Sequence, residues 1–483
     1  MVSRKEFLKL SAGVTAMPIF NIGCAGFGQG RARQLAAEQP IRVALIGCGM
    51  RGRDLMQAIL KEKIVALVDP DPACRAKARE RAAKLPNAAN FAVEREFADY
   101  HALFDEMGDS LDAVVIATSN RHHALAALLA MRRGIHVYVE KPMAFTVEEA
   151  QLMGRVAKET VVVTQVGNFG HSTRAMKVCV EAIKAGVIGD VSDVWCYDDR
   201  VNAMVERPES APPPKGMDWN AWCGPAEHFD YYPGAGRRFG VHPHDWHSWI
   251  ALGNGSIGNM GTHIMDAPFW ALDLGATPPD SVQATRADFG CAGSWTIRTA
   301  VEWKFPAFGN RGPVNLHWYD GLADGVDYKA ADLNNTGFPR AGRKMQFMPE
   351  AVLKCERDYR LEKAPFLSNG ALFAGSKGYA WFGHHSMVRF LPKSLGTNID
   401  KFVGYKSLEH MHEFFGAIRA RRPANTNFDF SVPIGTAICL ANIASRRAKK
   451  ELRWDGHRFL NDDAANGLLR ATYRKGWELE GNA

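Results

Sequence analysis

From residue 41 onward the chain alternates short, almost wholly apolar runs with longer amphipathic ones. The apolar runs are 41–47 (IRVALIG), 64–69 (IVALVD), 112–118 (DAVVIAT), 135–141 (IHVYVEK) and 161–167 (VVVTQVG), with a weaker one near Phe91. They are rich in β-branched residues and apolar on both faces, as strands buried in a parallel sheet are. Between them fall helical stretches such as 122–133 and 147–159, the second introduced by the capping box Thr146 and Glu149. Strands and helices taking turns predict an α/β domain over 41–167, with a doubly wound, Rossmann-type parallel sheet.

After about residue 167 the order changes. One helix, 173–185, precedes strand-like runs joined by Gly- and Pro-rich loops: VSDVWCYDDR, SVQATRADF, TIRTAVEWKF, PVNLHWYDG, then GYAWFG and MVRFL. Strands without intervening helices predict a second domain of α+β type over 168–483, built on a large, mainly antiparallel sheet. Helices return at 407–421 and 431–449, and no internal repeat is visible.

Residues 1–40 fit neither domain. A charged start is followed by an apolar stretch from Leu10 to Ile22 and then by small residues, the layout of an export signal and too short for a membrane span. Residues 25–40 read as a linker. The string Ser3-Arg4-Lys5-Glu6-Phe7-Leu8-Lys9 resembles a twin-arginine signal with Lys5 in place of the second arginine, and Ile22-Gly23-Cys24 resembles the end of a lipoprotein box. Three readings stay open: export to the periplasm or envelope, a lipid anchor on Cys24, or a structured amphipathic arm.

Composition removes some function classes. The chain of 483 residues is too long for one core, and 46% hydrophobic with 23% charged residues is ordinary for a soluble globular protein. The net charge of +7 is a small difference between 59 basic and 52 acidic residues mixed along the chain, with no basic tract, so a nucleic-acid partner is not expected. Nine scattered cysteines without a C-x-x-C make neither a zinc site nor a disulfide framework and read as small buried hydrophobes.

Chemistry enters with Gly47-Cys48-Gly49-Met50-Arg51-Gly52, which is G-x-G-x-x-G directly after the first strand and opening a helix. Gly47 serves the tight turn, Gly49 lets the backbone approach a pyrophosphate, and Gly52 lets helix and strand pack closely, with Met50 and Arg51 at the helix N-terminus. Asp69 ends the second strand ~20 residues on, where a carboxylate binds ribose hydroxyls and repels a 2′-phosphate. NAD is therefore favoured over NADP, although Arg51 and Arg53 keep NADP open. Lys141 closes the fourth strong strand, and Pro142 holds it out of the α region, fixing the direction of its ammonium. Farther on, Val241–Trp249 carries His242, His244 and His247 with Trp246 and Trp249. Metal ligation, a sugar pocket of aromatic and imidazole groups, and plain packing are all open to this segment; no metal is expected.

In their order, GCGMRG, ATSNRHHA (117–124), EKP (140–142), TQVGNFGHS (164–172), DWNAWCGP (218–225), GSIGNMGTHIMDAPFWAL (255–272) and YRKGWEL (473–479) resemble the Gfo/Idh/MocA family of nicotinamide-dependent oxidoreductases. The resemblance implies that Lys141 lies beside the nicotinamide and shares in proton transfer as hydride leaves a sugar carbon. Thr118, Asn120, His123, Glu140 and Asn168 are the further cofactor contacts it implies, with Trp246, His242 and Asp266 toward the substrate. It also implies a catalytic D-x-x-x-H segment, matched here by Asn259–His263, with His263 as general acid or base. Asn259 replaces the aspartate; an amide orients a hydroxyl but cannot take its proton.

The function expected is NAD(P)-dependent oxidation of a sugar, inositol or related polyol by a homo-oligomer. An exported enzyme would hold its cofactor tightly and restore it in each cycle, which favours as an alternative a redox-neutral glycoside hydrolase or lyase working through a transient 3-keto sugar. The glycosidases of this superfamily typically lack the EKP lysine that Lys141 preserves. A non-catalytic sugar or cofactor sensor is the third reading, opposed by the presence of both Lys141 and His263.

Overall fold

The computed structural model describes residues 39–234, 239–328, 340–384, 387–397, 399–402 and 406–479. The signal, lipid-anchor and linker readings of residues 1–40 therefore fall outside the described residues, apart from 39 and 40.

The first sheet contains β1 (Arg42–Ile46), β2 (Lys63–Val68), β3 (Phe91–Phe97), β4 (Ala113–Ile116), β5 (His136–Val139) and β6 (Thr164–Val166). All neighbours pair in parallel in the order β3-β2-β1-β4-β5-β6. Four of the apolar runs are its central strands, the run at 161–167 is the edge strand β6, and the weak run near Phe91 is the opposite edge, β3. The order reverses between β1 and β4, and a crevice opens at that point outside the carboxyl ends of the strands, where ligands of such sheets bind. The capping box forms as its spacing demands. Thr146 Oγ1 accepts from the Glu149 amide at 3.2 Å, and Glu149 Oε2 accepts from the Thr146 amide at 3.3 Å, opening the helix Val147–Thr160.

The second sheet contains β7 (Val191–Asp198), β8 (Ser281–Phe289), β9 (Thr296–Phe305), β10 (Val314–Gly321), β11 (Gly370–Gly375), β12 (Gly378–Gly383), β13 (Met387–Leu391) and β14 (Leu452–Arg453), in the order β13-β12-β11-β7-β10-β9-β8-β14. Its pairs are antiparallel except β7 with β10. The apolar pattern passes over β11, whose sequence GALFAG lacks β-branched residues. Pairing to β12 on one side and β7 on the other makes it a strand.

Two long helices, Gly255–Ala271 and Phe428–Arg446, lie against this sheet, with Ile257, Met260, Ile264, Ile434 and Ile438 packing among Trp303, Leu316 and Trp318. Phe428–Arg446 is the one described helix long and apolar enough to cross a bilayer; here it is a core helix. The later chain also returns to the first sheet. Met411, Phe414, Phe415 and Ile418 of the helix His410–Ala420 pack against Val43, Leu45 and Tyr138, while Phe428, Trp477 and Leu479 join the core of the opposite face. The eight described cysteines are free thiols, all buried but Cys291, which is half-buried.

Candidate functional site

The glycine loop is shaped by what each glycine touches. Gly47 has φ +94°, and a Cβ there would lie 2.4 Å from the Ala117 carbonyl oxygen. At Gly52 a Cβ would come within 2.0 Å of the Gly47 carbonyl oxygen, so the helix start could not approach the loop. Gly49 is the opposite case. Nothing lies within 4 Å of its Cβ position, and it caps the helix Met50–Ile59 without a side-chain hydrogen bond. Uncapped helix amides beside open space form a receptor for a pyrophosphate.

That space belongs to a cleft of about 300 Å³ running from Gly47, Gly49 and Met50 past Asp69 and Thr118 to Glu140, Lys141 and Asn259. Asp69 is buried; its Oδ2 accepts from the Cys48 amide at 2.8 Å and its Oδ1 from the Asp71 amide at 2.9 Å. One carboxylate thus both faces the ribose position and pins the glycine loop. The arginines that kept NADP open are engaged elsewhere. Arg51 Nε donates to Glu140 Oε1 at 2.7 Å, and Arg53 Nη1 donates to the Cys48 carbonyl at 2.8 Å.

His242 also stands at the Asp69 end of the cleft, away from Lys141. Its Nδ1 accepts from Trp222 Nε1 at 3.2 Å, which leaves the proton on Nε2, 3.3 Å from Asp71 Oδ2. Asp71 is held down to about 2, first by that hydrogen bond. Asp71, Cys74 and His242 lie close enough together to suggest a metal. The Nε2 lone pair is not available in this tautomer, and burial pushes the Cys74 thiol up to about 12, so the trio is a hydrogen-bonded clasp between the domains. Tyr100, His122, Trp222 and Trp477 line the same end.

At the other end β5 delivers Glu140 and Lys141. Glu140 is buried, and the absence of a side chain at Gly167 makes room for it: a Cβ there would be 2.5 Å from Glu140 Oε1. Lys141 Nζ donates to the carbonyl oxygen of Asn259 at 2.8 Å and to its Oδ1 at 2.9 Å. Asn259 Nδ2 in turn donates to Asn202 Oδ1 at 3.2 Å. Burial pushes the Lys141 amine down to about 7; Glu140 opposes the fall, and Arg200 and Arg51 reinforce it. A neutral amine donating both hydrogens to Asn259 keeps its lone pair for the cleft. This is a base poised at neutral pH.

His263 follows one turn along the same helix, on the Asn259 face. Its tautomer is set from behind. The Asp266 carboxylate only accepts, so Asn168 turns its amide nitrogen to Asp266 and its oxygen to His263 Nδ1, at 2.9 Å. Nδ1 therefore carries the proton and Nε2 is the basic nitrogen. Asp266 also meets His171 Nδ1 at 2.9 Å.

The residues expected at the site thus separate into two sets. Gly47, Gly49, Met50, Arg51, Asp69, Thr118, Glu140, Lys141, Asn259, His242 and Trp246 line the cleft, as do His244 and His247. Gly52, Asn120, His123, Asn168, His263 and Asp266 stand behind its wall. Asn120 Oδ1 accepts from the Asn254 amide at 3.2 Å, and His123 Nδ1 lies 2.7 Å from the Pro142 carbonyl. Asp266 is fully buried, so it cannot meet a substrate directly. Its place in the chain, on the helix face that carries Asn259 and His263, does not reveal that His171 and Asn168 fill its coordination. Sequence reasoning missed Arg200, Asn202, Trp222 and Trp477. Trp222 and Trp477 fall in segments singled out by resemblance, while Arg200 had no local signal beyond ending a strand.

Residues 41–168 match the Gfo/Idh/MocA family, described as an oxidoreductase family with an NAD-binding Rossmann fold. Two curated relatives are scyllo-inositol 2-dehydrogenase (NAD(+)) of Bacillus subtilis and a glycosyl hydrolase family 109 protein of Stenotrophomonas maltophilia. The first is 28% identical over 156 residues, 32% of this chain and 42% of that protein. The second is 29% identical over 153 residues, 31% of each chain. The chain spans less than half the length of these curated relatives. The fold extends further: levoglucosan dehydrogenase in complex with NADH superposes with a TM-score of 0.53 at 16% identity, covering 85% of this chain and 98% of that one.

Two predictions follow from this geometry. Asp69→Ala lowers NAD affinity by about tenfold or more, because two buried amides lose a charged acceptor, and it gains no NADP binding while Asp71 remains. Calorimetric titration with both dinucleotides checks this; improved NADP binding would mean Asp69 acts on the 2′ position alone. Asn259→Asp sets a carboxylate against the Lys141 amine, favours the ammonium and raises its pKa from about 7 by roughly one to three units. The acidic limb of kcat/KM against pH, along which the base loses its proton, then moves upward by that amount, and an unmoved profile would remove Lys141 as the titrating base.

Proposed function

We propose that the protein is an NAD-dependent oxidoreductase acting on a sugar, inositol or related polyol. The observation that carries this is a half-buried lysine, its amine brought near neutrality by desolvation, at the end of a cleft that begins at a dinucleotide-binding glycine loop. NAD would rest on the helix amides at Gly49 and Met50 and on Asp69, with Thr118 and Glu140 along its path. Bound there, it supplies the hydride acceptor. Lys141 takes the proton of the reacting hydroxyl through the lone pair that Asn259 leaves open, and Asn259 keeps that amine oriented. His263, expected as the second acid or base and with its tautomer fixed by Asn168, stands one turn along the helix behind the cleft wall, and its part in turnover is what the His263→Ala variant tests.

The redox-neutral alternative, glycoside cleavage through a transient 3-keto sugar, draws support from the clasp between Asp71 and His242 and from Trp222 and Trp477 over the same end of the cleft. His242, Trp222 and Trp477 come from the later part of the chain and enclose the nucleotide path, as suits a cofactor restored in place. Export and self-association belong to the same proposal, since a cofactor outside the cytoplasm has no soluble recycling partner.

Purified protein should carry NAD, detectable by mass spectrometry. With a sugar and glycoside panel it should show either growth of 340 nm absorbance or release of aglycone without it. Lys141→Ala and His263→Ala should each lower turnover by roughly a hundredfold with NAD still bound; undiminished turnover in both would leave them structural. N-terminal sequencing of protein from the envelope of the native host should begin near Cys24, and an intact Met1 on cytoplasmic protein would remove the export reading.

A further inference from the structure

Beyond Lys141 the cleft wall is formed by Arg200, His244, Trp246, His247 and Asn259. Arg200 stands just past the end of β7. Its backbone is fixed: the amide donates to Asp198 Oδ2 at 3.0 Å, and the carbonyl accepts from Ser256 Oγ at 3.2 Å. Its guanidinium is not. The nearest carboxylate oxygen, on Asp198, is 3.9 Å from Nε, beyond a hydrogen bond, and Nε is buried without a partner.

The carboxylates behind Arg200 lie beyond hydrogen-bond reach of its guanidinium. Asp198 and Asp320 are register partners across β7 and β10 and are both fully buried. Burial raises Asp198 to about 6 against the pull of the Arg200 charge, and raises Asp320 to about 7 with the Asp198 charge adding to the rise. Trp318 Nε1 donates to Asp320 Oδ2 at 2.6 Å, while Asp198 Oδ2 accepts from the Arg200 amide and not from its guanidinium. His247 is kept neutral by burial. Glu140 is the carboxylate that lines the Lys141 end, and its Oε1 accepts from Arg51 Nε at 2.7 Å rather than from Arg200. What remains is a permanent cation with a planar fork of donors, on the wall of the cleft, and its side chain makes no hydrogen bond to a carboxylate.

We infer that Arg200 receives a carboxylate of the substrate, so that the class turned over is an acidic sugar, such as a uronic acid or its glycoside. The fork matches a carboxylate with two parallel hydrogen bonds, which single sugar hydroxyls cannot reproduce. Trp246, stacked with His247 at 3.6 Å between ring centroids, offers an apolar face beside it for the ring. This inference rests on the oxidoreductase reading only in placing the reacting hydroxyl at Lys141.

The test titrates the NAD-loaded protein with matched pairs, glucuronate with glucose and methyl glucuronide with methyl glucoside, and follows turnover of each. The acidic member should bind at least about tenfold more tightly, and raising the ionic strength should narrow that margin. Arg200→Gln should abolish the margin, and Arg200→Lys, which keeps the charge without the fork, should retain part of it. Equal binding of both members by the parent, or a margin that survives in Arg200→Gln, would overturn the inference. Should Arg200→Gln fail to fold, the salt dependence of the parent and the Lys variant decide. Tight binding of the acid with no reaction would uphold Arg200 and overturn the oxidoreductase reading; turnover of the neutral sugar without acid preference would do the reverse.

Discussion

The site depends on one desolvated amine. A lysine at a strand end ordinarily reaches water, but here Nζ is drawn under the helix Gly255–Ala271 and donates twice to a single residue, Asn259. A neutral partner is the decisive feature. A carboxylate at that distance would hold the ammonium charged and hydrogen-bonded; the amide satisfies the same geometry while leaving proton affinity to burial and to the flanking arginines. The departure from the aspartate of the related pattern therefore has a physical consequence: it moves basicity from a carboxylate to the lysine itself.

Holding that amine requires both sheets at once. β5 supplies Lys141, and the second sheet, through β7 and the helix packed on it, supplies Asn259, Asn202 and Arg200. The relation between the two is fixed by chain that crosses back. Phe414 and Phe415 lie in one face of the first sheet and Phe428 and Trp477 in the other, while the helix Phe428–Arg446 also packs against Gly255–Ala271. An opening of the cleft that separated Lys141 from Asn259 would have to strain these shared cores. The amine is thus positioned by packing far from it as well as by its two hydrogen bonds.

Much of this is legible in the residues, to a depth set by how local each signal is. The glycine loop, the strand ends and the capping box at Thr146 are decided within a few residues, and spacing alone places them. β11 is not local: GALFAG becomes a strand only because β12 and β7 pair with it. His242 is the plainest case at the site. A stretch with three histidines and two tryptophans invites a metal or a sugar, yet the partner that decides its role is Asp71, far away in sequence, and the proton that excludes a metal is fixed by Trp222. Asn168 and Asp266 are similar. Their residue types suit ligand contacts, but they spend their hydrogen bonds on His263 and on each other. Arg200 was invisible because its significance lies in bonds it does not make.

The two ends of the cleft differ in kind, and that difference bears on the class of reaction. At the Asp69 end the walls are closed by contacts across the domain junction: His242 on Asp71, the Trp222 carbonyl on His122, and Trp477 against the rings of Tyr100 and His122. At the Lys141 end the groups are held from behind and present unused capacity forward, a lone pair on Lys141 and the guanidinium fork of Arg200. A cofactor entering such a cleft is gripped where it does no chemistry and faces open valences where it does. For an enzyme that releases its reduced cofactor every cycle, contacts at the gripped end would have to break each time. Where the cofactor returns to its starting state in place, they need never break, and only substrate and product exchange through the Lys141 end. On the proposed reading, the closed Asp69 end therefore favours chemistry in which the hydride taken from one carbon is given back within the same binding event.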